Sequence, residues 1–114
     1  MIMRAGDPLS FVEVRLSLLS PAEGGRTSPV TSGYMPNWWL PGSPTPTLAS
    51  ALLELADTDH LRPGATGTAR VVPFSPTLWE GVAVGTELVM TEGPDRRVGT
   101  AVVTRVATAA VSAA

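Results

Sequence analysis

The sequence predicts a small all-β barrel or sandwich, and three observations carry that reading. Glycine and proline occur 11 times each, which interrupts long helices and favours a turn-rich chain. Five or six short strand-like runs follow one another at intervals of about 10 residues. The clearest of them, Phe11 to Ser20, alternates between apolar and polar side chains. A chain of 114 residues fits one domain, and at that size folding buries roughly two-thirds of the surface the unfolded chain exposes.

The elements follow in order. Val12, Val14, Leu16 and Leu18 alternate with Glu13, Arg15 and Ser17, the pattern of a strand with one buried and one wet face. Pro21 ends that ladder, and Glu23-Gly24-Gly25 supplies a turn in which the glycines take unusual backbone angles. Thr27 to Leu40 reads as two short extended pieces broken by a Gly33-Tyr34 turn. The adjacent Trp38 and Trp39 point to opposite faces of a strand, one into the core and one partly exposed. Pro41 to Pro46 is loop by composition. From Leu48 to Ala56 the pattern is double: Leu48, Leu52 and Leu55 have helical spacing, whereas Ala51, Leu53 and Leu55 share one side of a strand. Taken alone, the segment favours a short helix. Asp57 to Gly64 is polar and closes in a turn at Arg62-Pro63-Gly64; Val71, Val72 and Phe74 form an extended piece that Pro76 stops. Two last strands, Leu88 to Thr91 and Val98 to Val106, flank a hairpin-like turn at Glu92-Gly93-Pro94-Asp95. The ends are expected to lie outside the domain, with residues 1–10 an extension and residues 107–114 a disordered, alanine-rich tail.

Composition narrows function. The chain has 8 arginines, no lysine, 10 acidic residues and a net charge of -2, which argues against a broad nucleic-acid footprint and leaves only local arginine contacts. The amino end carries no secretory pattern, and no apolar run nears the roughly 18 residues that span a membrane. With no cysteine there is no disulfide, and the default expectation is the cytoplasm.

Four clusters could carry chemistry. His60 with Asp57 and Asp59 could hold a metal, or work with a nucleophile such as Ser50 or Ser75; a single histidine gives neither a ligand set nor a motif, and a solvated loop explains it. Glu23-Gly24-Gly25-Arg26 lacks the lysine and the following helix of a phosphate loop, so no nucleotide is expected. The exposed tryptophan of the Trp38-Trp39 pair could anchor a partner or cover the end of the barrel. Arg96-Arg97, beside Glu92 and Asp95, suits either a solvated turn whose pairing is worth about 0–1 kcal/mol or an RNA-backbone contact. None amounts to an active site: the expectation is a non-enzyme without cofactor or metal.

Read as a linear pattern, Leu19-Ser20-Pro21-Ala22-Glu23-Gly24-Gly25-Arg26-Thr27-Ser28-Pro29 resembles the "LS..EGGR.TP" loop that opens the third, C-terminal β-barrel domain of elongation factor Tu. Gly33-Tyr34-Met35-Pro36-Asn37-Trp38-Trp39 is similar to its "GYRPQFYF", Pro63-Gly64 to its "PGD", and Glu92-Gly93-Pro94-Asp95-Arg96-Arg97-Val98-Gly99-Thr100-Ala101-Val102-Val103 to its "EGGRTVGAGVV". The blocks keep family order and nearly family spacing across residues 11–106. The resemblance implies a six-stranded antiparallel barrel and makes Leu52-Leu53-Glu54-Leu55 a strand. It also implies contact with a protein partner, a translation-related factor or GTPase, through Gly24, Gly25, Arg26, Tyr34 and Trp39. Its second implication is tRNA contact through Arg26, Glu92, Arg96, Arg97 and Gly99. The family histidine after EGGR is Thr27 here, and the arginine of "GYRP" is Met35; the aspartate and lysine of "PGDNIK" are absent as well. These departures weaken the RNA implication, while Arg97 adds a cation. The expected function is a stand-alone, non-catalytic binding module whose partner is a protein, with tRNA as the alternative and a homodimer as a further arrangement; a hydrolase or metal enzyme is the remote one.

Overall fold

The computed structural model describes residues 9–40, 47–93 and 96–108. Among the described residues eight strands form: β1 (Leu9–Leu18), β2 (Val30–Thr31), β3 (Asn37–Leu40), β4 (Thr47–Leu55), β5 (His60–Leu61), β6 (Thr66–Pro73), β7 (Glu87–Glu92) and β8 (Arg96–Thr108). Short 3₁₀ turns at Pro21–Glu23 and Pro76–Trp79 join them. Six strands close an antiparallel barrel in the order β1-β6-β4-β3-β7-β8, and β2 pairs with β5 as a separate ribbon. The expected six-stranded barrel is therefore the architecture. Closure removes the open strand edges that an isolated sheet of this size would expose.

Alternation sets the core. Val12, Val14 and Leu16 of β1 are fully buried, and Val71, Leu88 and Met90 join them from β6 and β7. Trp38 is fully buried while its neighbour Trp39 is only half-buried, as opposite faces of one strand require. Trp79, at the end of the second 3₁₀ turn, is as deeply buried as Trp38. Neither indole N–H has a hydrogen-bond partner among the described residues, so volume and not polarity places these rings.

Residues 47–55 are a strand, as the resemblance implied for Leu52–Leu55 and against their helical spacing, because β3 and β6 supply ladder partners on both sides; Ala49, Ala51 and Leu53 then turn inward. Two differences from the sequence reading have physical causes. The polar stretch from Asp57 hides β5, whose two residues pair with β2. At the ends, β1 starts at Leu9 and β8 runs to Thr108, two residues beyond each expected boundary, because Leu9 opposes Thr108 and Phe11 opposes Ala107 in the closing ladder. The remainder of the expected extension and tail, the Pro41–Pro46 loop and the Pro94-Asp95 half of the hairpin turn lie outside the described residues.

On the outside of the barrel, Glu13 accepts two hydrogen bonds from Arg105, at 3.0 and 2.8 Å, and Arg70 approaches to 4.0 Å. The Arg105 hydrogen bonds hold the Glu13 carboxyl below its ordinary value of 4.5. A group depressed in the folded state stabilises above its unfolded value and loses that contribution as pH falls through its folded one. The thermal unfolding temperature, followed from neutral pH downward, should therefore decline below pH 4.5, and Glu13→Gln should flatten that decline.

Candidate functional site

The residues that resemble the family loop meet at one end of the barrel, where β1 ends and β8 begins. Pro21 starts the 3₁₀ turn, and the Glu23 side chain accepts a hydrogen bond from the Ser20 N–H at 2.9 Å. Gly24 closes the turn at φ +91°, a left-handed conformation that favours glycine. Gly25 is glycine for another reason. Its N–H reaches the Ser20 carbonyl at 2.9 Å, and an added Cβ would lie 2.2 Å from the Leu19 carbonyl oxygen. The expectation of unusual angles at both glycines is thus corrected: Gly24 needs the angle, and Gly25 needs the missing side chain.

That folded turn delivers Arg26. Its Nε and Nη2 donate to the carbonyl and hydroxyl of Ser28, each at 3.2 Å, and Nη2 also donates to the Pro29 carbonyl at 3.4 Å. Nη1 donates to the Glu92 carboxylate at the end of β7. The guanidinium lies 4.8 Å from the centroid of the Tyr34 ring, and the Tyr34 hydroxyl donates to the same carboxylate. Burial first, and then the Glu92 carboxylate, push the Tyr34 hydroxyl well above its ordinary value, so it stays a donor. Tyr34 itself is strapped to β4: its carbonyl accepts from the Leu53 N–H at 2.8 Å, and Gly33 N–H donates to Leu53 at 2.9 Å.

A bulge aims the two following arginines. The β7–β8 register shifts between Met90 and Thr91, setting Arg96 opposite Glu92 and Arg97 opposite Thr91. Arg96 donates to the Gly25 carbonyl at 3.0 Å and stands 3.9 Å from Glu92. Arg97 turns the other way, its guanidinium 4.8 Å from the Trp39 ring centroid. In the same register Leu48 and Val89 flank Trp39 on β4 and β7. The outcome is a face with a locked ion network on one side and an arginine-capped tryptophan on the other.

Gly25, Arg26, Tyr34, Glu92 and Arg96 are thus brought into one network, with Gly24 in the turn that leads into it and Trp39 and Arg97 paired one residue along. Gly99 is a packing position: it is buried, and a Cβ there would meet the Ser17 carbonyl at 3.0 Å. Sequence reasoning missed the Arg26–Glu92–Tyr34 convergence, because its members are 66 and 58 positions apart and no local pattern joins them.

The second cluster stays open. His60, the first residue of β5, has its Nδ1 2.8 Å from the carboxylate of Asp59 in the exposed loop before that strand, and the contact lowers the Asp59 carboxyl below its ordinary value. Asp57 lines a shallow depression of about 330 Å³ together with Arg15, Thr58, Leu61, Thr66, Gly67 and Thr68. Ser50 donates to the Asn37 amide oxygen at 2.8 Å. Neither Ser50 nor Ser75 is bonded to an imidazole or carboxylate among the described residues, and those residues contain no group of three metal-ligating side chains.

Compared with known proteins, the chain matches no family model and no curated protein. Among the described residues no helix is long and apolar enough to cross a membrane.

Proposed function

We propose that the chain is a non-catalytic binding module of the elongation factor Tu C-terminal barrel type, docking a translation-related factor or GTPase through the face formed by Gly24, Gly25, Arg26, Tyr34 and Trp39. The observation that carries this reading is the Arg97–Trp39 stack. A half-buried tryptophan capped by an exposed guanidinium, with Leu48 40% exposed beside it, is the composition of an interface centre. Next to it the Arg26 network holds the Gly24-Gly25 loop in one shape, so little ordering entropy is lost on docking. A cytoplasmic place of action goes with this reading.

An RNA reading draws support from a narrower observation, the exposed side chains of Arg96 and Arg97. Arg26 supports it less, since Glu92, Ser28 and Pro29 already take its donors.

Both readings are tested by measuring affinity for purified translational GTPases and for tRNA, over a range of salt. Under the protein reading a GTPase binds with modest salt dependence, and Trp39→Ala weakens it about tenfold or more. If that variant binds unchanged, the face is the wrong one. Binding to tRNA that falls steeply with salt and weakens in Arg97→Ala would instead favour the RNA reading.

A further inference from the structure

A second apolar surface lies on the outward side of β1, β6 and β4, next to the Leu48–Trp39 row of the first face. Phe74, just past β6, is 58% exposed, and its N–H donates to the Ser50 carbonyl at 3.2 Å. Val72 opposes Leu52 across β6 and β4. Continuing the β1–β6 register one step beyond Val12–Val71 sets Phe11 beside Val72. Arg70 and Arg105 lean on the Phe11 ring, 4.7 and 5.3 Å from its centroid.

A row of alternating charge borders this patch. Glu54 opposes Arg70, Arg70 opposes Glu13, and Glu13 opposes Arg105. Such a row has a symmetry property that narrows its occupant. Rotation about a two-fold axis lying in the contact plane, parallel to the strands and between β6 and β1, reverses the order of the row. Arg70 of one copy then faces Glu13 of the other, and the reverse. The same rotation leaves the apolar end against the apolar end, so Val72 meets the second copy's Phe11. An axis along the row would instead set each charge on its own kind. A foreign partner would have to supply the same alternating complement beside an apolar patch; a second copy carries it by construction.

We propose that this face pairs two copies of the chain about that axis. The proposal is independent of the docking role assigned to Trp39. The curvature of a six-stranded barrel confines close contact to β6 and β1, so the buried area falls near the lower end of specific interfaces, about 1,200 Å² in total. The pairing is accordingly reversible.

Sedimentation velocity over a concentration series tests it. The wild-type chain should move from monomer to dimer as concentration rises. Phe74→Ser, at an exposed position, should raise the dissociation constant about tenfold. Arg70→Glu should do the same by placing like charges across the axis, and Arg70→Ala should do so less strongly. Trp39→Ala should leave the dimer intact. A chain that stays monomeric at every soluble concentration would overturn the proposal, as would a dimer indifferent to Phe74→Ser and both Arg70 variants. Loss of the dimer in Trp39→Ala with retention in Phe74→Ser would overturn it too, by moving the interface to the other face.

Discussion

Gly25→Ala should destabilise the barrel by about 3 kcal/mol or more, in the range of severe overpacking. The added Cβ would sit 2.2 Å from the Leu19 carbonyl oxygen and 2.7 Å from its carbon. These are backbone atoms and cannot rotate aside as the tip of a long side chain could. Leu19 is also fixed from the other direction, since its N–H donates to the Val98 carbonyl at 3.0 Å. Relief would therefore require the loop to swing outward, breaking the Gly25 hydrogen bond to Ser20 and the Arg96 hydrogen bond to the Gly25 carbonyl. Gly24→Ala makes the useful contrast. Nothing lies within 4 Å of its new Cβ, and the cost is only that of holding an alanine at φ +91°, about 1–2 kcal/mol. Denaturant unfolding of the two variants measures the difference; equal losses would mean that the backbone angle and not the close approach governs this loop.

The two glycines show where legibility ends. Both read as turn residues from the sequence, yet only one has the angle a turn glycine is chosen for. The other answers to Leu19, a contact that exists only once β1, the 3₁₀ turn and β8 are in place. The strands themselves were readable wherever one face is dry and the other wet, as in β1 and in the Trp38–Trp39 pair. β4 was ambiguous because small alanines fill its inward positions and leucines lie on both faces, so hydrophobic spacing mimics a helix. Trp79 carried no periodic signal at all: it sits among turn residues and is drawn inward by the hydrophobic core it joins.

The candidate site residues were proposed from separate blocks that resemble a family pattern, and the ion network that joins Arg26, Tyr34 and Glu92 was not read. Arg26 lies in a glycine turn, Tyr34 in a second turn and Glu92 at a strand end. What brings them together is β7 lying between β3 and β8, a non-local pairing that nothing in the neighbouring residues encodes. The same pairing decides chemistry. The sequence offered Arg26 as a free cation for RNA, whereas in the fold it is the partner of a carboxylate.

Glu92→Ala should cost about 2–3 kcal/mol, less than a fully buried pair because the site is partly wet. The side chains of Arg26 and Glu92 are 20% and 25% exposed, so most of their surface is out of water. Removing the carboxylate strands the Tyr34 hydroxyl and one arm of Arg26 together, while the other arm keeps Ser28 and Pro29. Arg26→Ala removes the cation but leaves Tyr34 as a donor to Glu92, and should cost less. The double variant should fall short of the sum by about 1 kcal/mol, since the shared contact can be lost only once. Additive losses in denaturant unfolding would mean the contact carries no coupling. Function separates the two binding roles further. Glu92→Gln leaves an acceptor for Tyr34 but strips the negative charge, so the local charge around Arg26, Arg96 and Arg97 rises by one. If the face grips phosphate, tRNA affinity should increase in this variant, with a steeper salt dependence. If it docks a protein through a loop held in one shape, GTPase affinity should fall, because Arg26 no longer has a carboxylate to hold it. The sign of one charge substitution thus distinguishes a cationic RNA surface from a preorganised protein interface.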